Sequence, residues 1–126
     1  MGVPMNRADR GRMAYHAGIA AENRIERAYL DRGAIVSHRR WRGGGGEIDL
    51  ILHEGEEVVF VEVKKSRSFA AAAERIRPQQ MRRIHTSAEE FLGGEPKGQL
   101  TPARFDVALV DARGDFRIVE NAFGHD

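Results

Sequence analysis

From Arg12 to about Arg32 the apolar positions Ala14, Ala17, Ala21, Ile25, Ala28 and Tyr29 recur at helical spacing, and Gly33 supplies a stop. After Gly33 the period shortens. Ala34 to Trp41 reads as a strand, the glycine run Gly43 to Gly46 interrupts it as a permissive loop, and Glu47 to Leu52 resumes the strand pattern. A polar turn, His53 to Glu57, leads into the β-branched run Val58 to Val63, so the second and third strands are expected to pair as a hairpin. Pro78 suits the first turn of a second helix, whose apolar stripe is Met81, Ile84, Ala88, Phe91 and Leu92 and which stops at Gly93-Gly94. A loop to Pro102 precedes a fourth strand, Phe105 to Val110, and the turn Asp111 to Asp115 precedes a fifth, Phe116 to Val119.

The expected class is therefore α/β with the order α-β-β-β-α-β-β. Met1 to Gly11 shows no periodicity and reads as a flexible leader, leaving residues 12–126 as a single domain, the number of cores that 126 residues support. Ala70 to Ala73 and the glycine run are the low-complexity pieces.

Composition narrows the chemistry. The chain has no cysteine, which excludes disulfides, thiolate zinc sites and a cysteine nucleophile, so any metal must sit on oxygen or imidazole. The five histidines lack metal-ligand spacing. No segment approaches the ~18 apolar residues that span a bilayer, and the expectation is a cytoplasmic protein without membrane insertion. A net charge of +1 does not by itself indicate a polyanionic partner, but the cations are clustered. Arg39, Arg40 and Arg42 surround Trp41, Lys64 and Lys65 end a strand with Arg67 shortly after, and Arg75, Arg77, Arg82 and Arg83 gather around the second helix start. Each cluster taken alone also fits an ordinary solvated surface.

Side chains alternate along a strand, which places Ile48, Leu50 and Leu52 on one face and Glu47 and Asp49 on the other. In the next strand Val59, Val61 and Val63 oppose Phe60, Glu62 and Lys64. Paired as a hairpin, these strands bring Asp49 and Glu62 close enough to share a hard cation such as Mg2+ or Mn2+, with the carbonyl of Val63 as a third oxygen. Lys64, flanked by carboxylates, is cast as a cation that orients the attacking water and stabilises charge developing on a phosphate; a metal that offsets the carboxylates opens a base role instead. Glu22 and Gln80 lie at the rims of their helical stripes, where each can reach the sheet. The bland alternative is a wet hairpin face with a surface ion pair. Its weakness is Glu62, a charge inside a strand apolar enough to be central.

The segments Glu47-Ile48-Asp49-Leu50-Ile51 and Val59-Phe60-Val61-Glu62-Val63-Lys64 resemble the YraN family, a bacterial group with an endonuclease-like fold related to archaeal Holliday junction resolvases. The similarity runs from Gly18 through the fourth strand and includes Trp41-Arg42, Pro78 to Arg83 and Arg104-Phe105-Asp106-Val107. It implies a PD-(D/E)XK restriction-endonuclease-like core, with a mixed central sheet flanked by helices and Asp49, Glu62 and Lys64 as signature residues. Glu22 would be the acidic residue of the first helix, and Gln80 would stand near the motif. Two departures stand out. Gln79 occupies a position where the family usually has lysine, and Lys65-Ser66 replaces Thr-Arg, which touches contacts to a nucleic-acid backbone that Lys65 and Arg67 can restore.

The leading expectation is a metal-dependent endonuclease acting on structured, branched or single-stranded DNA, with Arg39, Arg40, Arg42, Lys65, Arg67, Arg82 and Arg83 as phosphate contacts. The alternatives are a nucleic-acid-binding protein that keeps the fold without cutting, and a protein-interaction module of a DNA-processing complex. Junction resolution would imply two symmetry-related sites and hence a homodimer, for which the sequence marks no interface.

Overall fold

In the computed structural model, which describes residues 6–123 apart from the side chains of Asp9 and residues 13–15, the chain opens with helix α1, Arg7–Asp31. The helix therefore starts within the expected leader, of which residues 1–5 lie outside the described residues. It ends as Gly33 predicts. Gly33 takes φ +93°, its N–H donates to the Leu30 carbonyl at 2.9 Å, and the Ala34 N–H donates to the Tyr29 carbonyl at 3.1 Å, closing the last turn.

Strands β1 (Ile35–Gly43), β2 (Gly46–Glu54) and β3 (Glu57–Lys65) then form an antiparallel meander. Helices α2 (Phe69–Glu74) and α3 (Pro78–Gly93) and a 3-10 turn at Gly98–Leu100 carry the chain back to β4 (Ala103–Val110) and β5 (Phe116–Val119). The sheet order is β1-β2-β3-β4-β5, with β4 parallel to β3 because the intervening helices reverse the chain's direction first. The result is a mixed five-stranded sheet with helices on both faces. No helix among the described residues is long and apolar enough to cross a membrane.

Two local features depart from expectation. The alanine run is helix α2: Ser68 caps it by accepting the Ala71 N–H at 3.1 Å, and Ala72 is buried with Val107 and Leu109 of β4. The glycine run is a docked turn rather than a loose loop. Strand pairing continues to Gly43 and Gly46, and a Cβ at Gly45 would lie 2.1 Å from the Arg83 carbonyl oxygen. The buried Ser87 hydroxyl donates to the Gly46 carbonyl at 2.8 Å and accepts the Gly45 N–H at 3.1 Å, pinning the hairpin tip to α3.

The core has two layers. Ala21, Ile25 and Tyr29 of α1 pack on Leu50, Leu52, Val59, Val61, Ala108 and Val110. On the other face, Met81, Ile84, Ala88, Phe91 and Leu92 of α3 pack on Ile48, Ile51, Val58, Phe60 and Phe105. Each large side chain so buried contributes on the order of 1.5–3 kcal/mol. Ile48 therefore does not share a face with Leu50 and Leu52, as strict alternation predicts. Arg39 pairs with Leu50 and Trp41 with Ile48, so Arg40 and Asp49 stand opposite one another where the alternation breaks, and Arg40 takes φ +52° there. Left-handed backbone in a non-glycine strand residue costs about 1–2 kcal/mol.

At the far end of the sheet the fully buried Asp106 accepts hydrogen bonds from the Tyr29 hydroxyl at 2.6 Å, Arg104 Nε at 3.0 Å and the Asn121 N–H at 3.0 Å. This ties α1 to β4 and fixes the angle at which α1 crosses the sheet.

Candidate functional site

The break at Asp49 also sets up the site. The β2–β3 pairing runs from Glu54 and Glu57 to Leu50 and Val61, and continuing that register puts Asp49 across from Glu62. Asp49 Oδ2 accepts the Val63 N–H at 2.8 Å, which brings the carboxylate into the seam between the two strands. Asp49 also lines two clefts with residues of α1, and its charge acts on Glu62.

Glu62 is 3% exposed. Its Oε2 lies 3.3 Å from Lys64 Nζ and receives a long hydrogen bond from Gln80 Nε2 at 3.4 Å. Its Oε1 is buried without a hydrogen-bond partner. Burial, then the neighbouring Asp49 charge, push the Glu62 carboxyl up to about 8, with Lys64 opposing. A buried acceptor with no donor is costly, roughly 1–3 kcal/mol for a neutral group and more for a charge; a proton shared with Asp49 relieves it, and so would a bound cation. The donor set that surrounds it, Asp49, Glu62 and the Val63 carbonyl, is all oxygen, which fits a hard divalent ion. Among the described residues no three acidic, histidine or cysteine side chains converge as a ready-made cage, so water and substrate would have to fill the remaining positions.

Glu22 comes from α1 to the rim of the same region. It lines two clefts together with Asp49, yet its carboxylate is held by Arg40, with Nη2 to Oε2 at 2.8 Å and Nε to Oε1 at 3.3 Å. Burial raises the Glu22 carboxyl above its ordinary range, the Arg40 hydrogen bond opposes, and the Asp49 charge adds to the rise. The structure thus brings Asp49, Glu62, Lys64 and Gln80 together and keeps Glu22 beside them on a different partner.

The basic candidates fall into two groups. Arg39 bonds Glu26 with Nη2 to Oε2 at 2.9 Å, Arg40 bonds Glu22, and Arg42 lies 3.6 Å from Glu47, so all three β1 arginines have acidic partners. Among the described residues, Arg67, Arg82 and Arg83 form no ion pair with a carboxylate. Lys65 lines the cleft of about 340 Å3 that contains Asp49 and Glu22, and Arg67 lines an adjoining cleft of about 500 Å3 with Lys64 and Gln80. Arg82 and Arg83 are exposed on α3. Arg75 lines both clefts and is anchored by Nη1 to the Lys65 carbonyl at 2.6 Å, and Arg77 lines the larger. Sequence reasoning placed these two in a basic cluster without singling them out; the signal that marks them is their position between the end of β3 and Pro78.

The comparisons with known proteins agree on a family. A model described as Uncharacterised protein family UPF0102 matches residues 21–110, which include Glu22, Asp49, Glu62, Lys64 and Gln80. A UPF0102 protein of Ruegeria pomeroyi is 61% identical over 118 residues, 94% of this chain and 96% of the relative. One from Cereibacter sphaeroides is 60% identical over 113 residues, 90% of this chain and 97% of the relative. A third, from Roseobacter denitrificans, is 57% identical over 116 residues, 92% of this chain and 90% of the relative.

Proposed function

The chain belongs to the UPF0102 family, and on that premise we propose that it is a divalent-metal-dependent endonuclease of the PD-(D/E)XK type, hydrolysing phosphodiester bonds in structured or branched DNA. The observation that carries this reading is the buried Glu62 oxygen without a donor, set across from Asp49, while Lys64 and Gln80, which engage its other oxygen, line the larger cleft. The resemblance of the two strand segments to the YraN family supports the same reading.

Asp49, Glu62 and the Val63 carbonyl would hold Mg2+ or Mn2+, whose chemistry is to acidify a bound water and neutralise charge on a phosphoryl oxygen. The remaining work belongs to the chain. Gln80 and Lys64 both engage Glu62 Oε2, which fixes the carboxylate plane and leaves Oε1 free to ligate. Lys64, 11% exposed by its side chain and facing the larger cleft, is positioned to orient a water and stabilise a developing phosphorane charge. Arg67, Arg75 and Arg77 line the same cleft and would hold the flanking phosphates.

The direct test is metal titration of wild type and Asp49→Asn against labelled linear, single-stranded and four-way-junction DNA. Cleavage by wild type in Mg2+ or Mn2+, abolished in Asp49→Asn with DNA affinity retained, supports the proposal; undiminished cutting by the variant overturns it. One observation favours a second reading. The Arg40 bond occupies Glu22, leaving two side-chain carboxylates at the pair, and a nucleic-acid-binding protein that does not cut would show tight, salt-sensitive binding without turnover.

A further inference from the structure

Arg40 is unusual on three counts. It takes φ +52° inside a strand, it stands across from Asp49 where the β1–β2 alternation breaks, and its guanidinium reaches back to grip both oxygens of Glu22. Strained backbone persists where neighbouring structure holds it, and it gathers at sites that switch or bind. Glu22 itself shares two clefts with Asp49, whose charge acts on its carboxyl.

We infer that Arg40 is a latch on Glu22: its hydrogen bonds to this carboxylate compete with recruitment of Glu22 to a divalent cation at the Asp49–Glu62 pair. The inference rests on reading the pair as a metal site. It explains why the third carboxylate lies beside the pair but does not converge with it. It also assigns Arg40 a role distinct from the other β1 arginines, since Arg39 and Arg42 pair with Glu26 and Glu47, and of the three acidic partners Glu22 alone lines both clefts that hold Asp49. Arg40 is a positioning residue, acting through Glu22.

The test is equilibrium Mn2+ binding, without DNA, to wild type, Arg40→Gln, Glu22→Gln and the double variant, with Arg40→Gly as a second substitution that suits the left-handed backbone. Removing the latch should tighten Mn2+ binding by about 2- to 5-fold, the factor that corresponds to a partly exposed ion pair. In the Glu22→Gln background the same substitution at Arg40 should change nothing. Equal affinities of wild type and both Arg40 variants would overturn the latch while leaving the metal reading intact. An equal gain in the presence and absence of Glu22 would also overturn it, because Arg40 would then act only as a repelling charge. Mn2+ uptake by none of the proteins would overturn the latch together with the metal reading of Asp49 and Glu62.

Discussion

Glu62→Gln tests the site through stability alone. The substitution keeps the side-chain shape and a polar group facing Gln80 and Lys64, but removes an ionisable carboxyl from a position that resists charging. Burial and the Asp49 charge raise this carboxyl from 4.5 to about 8 in the folded protein. The fold therefore favours the protonated form. Stability from this residue is complete below the unfolded value near 4.5, falls as the pH climbs, and is lost once the pH passes about 8. Each pH unit inside that window costs wild type about 1.4 kcal/mol, so from about pH 5 to about pH 8 the loss reaches a ceiling of about 4 kcal/mol. Glu62→Gln has no such loss. Above about pH 8, where wild-type Glu62 is charged, the variant lacks the ion pair with Lys64, so the slope against pH below that point carries the comparison rather than the absolute stability. Urea unfolding of both proteins at intervals across this range, without divalent metal, should show wild type losing stability relative to the variant as pH rises. Parallel profiles would refute the claim that Glu62 is held uncharged by its surroundings.

Three further expectations concern the scaffold. Gly45→Ala places a Cβ 2.1 Å from the Arg83 carbonyl oxygen, so the hairpin tip must lift from α3; a loss of about 2 kcal/mol or more in chemical unfolding is expected, and an unchanged midpoint would show that the turn is not docked. Arg104→Ala leaves the buried Asp106 without its guanidinium and also removes contacts to Glu54 and Glu57, a loss of about 3–5 kcal/mol. Arg27→Ala, which breaks only the exposed pair with Asp31, should stay within about 0.5 kcal/mol in the same assay.

Much of this architecture follows from local pattern. The helical stripe ending at Gly33, the β-branched run Val58 to Val63 and Pro78 at a helix start are signals carried within a few residues, and α1, β3 and α3 form where those signals lie. The alternation of Glu62 and Lys64 with valines likewise marks an acid and a base on a central strand before any partner is known. Other features depend on contacts distant in sequence. Ala70 to Ala73 has no stripe long enough to announce a helix, and α2 exists because Ser68 caps it and β4 offers a surface for Ala72. The glycine run looks permissive in isolation, and only the closeness of Arg83 and Ser87 on α3 turns it into a fixed turn.

The site divides along the same line. The sequence by itself determined which side chains are candidates, because Asp49, Glu62 and Lys64 interrupt the apolar pattern of their strands and Gln80 lies at the rim of its helical stripe. Only the tertiary structure decided how they are used. Strict alternation cannot reveal that the strands break register of face at Arg40 and Asp49, that the Asp49 carboxylate enters the seam to meet the Val63 N–H, or that Glu22 is taken by Arg40. The first two depend on how β1, β2 and β3 pair, and the third on the packing of α1 against the sheet, where Tyr29 meets Asp106 across a separation of 77 residues. Local pattern fixes the direction in which a side chain leaves its own element, whereas the partner it meets is a property of packing between elements.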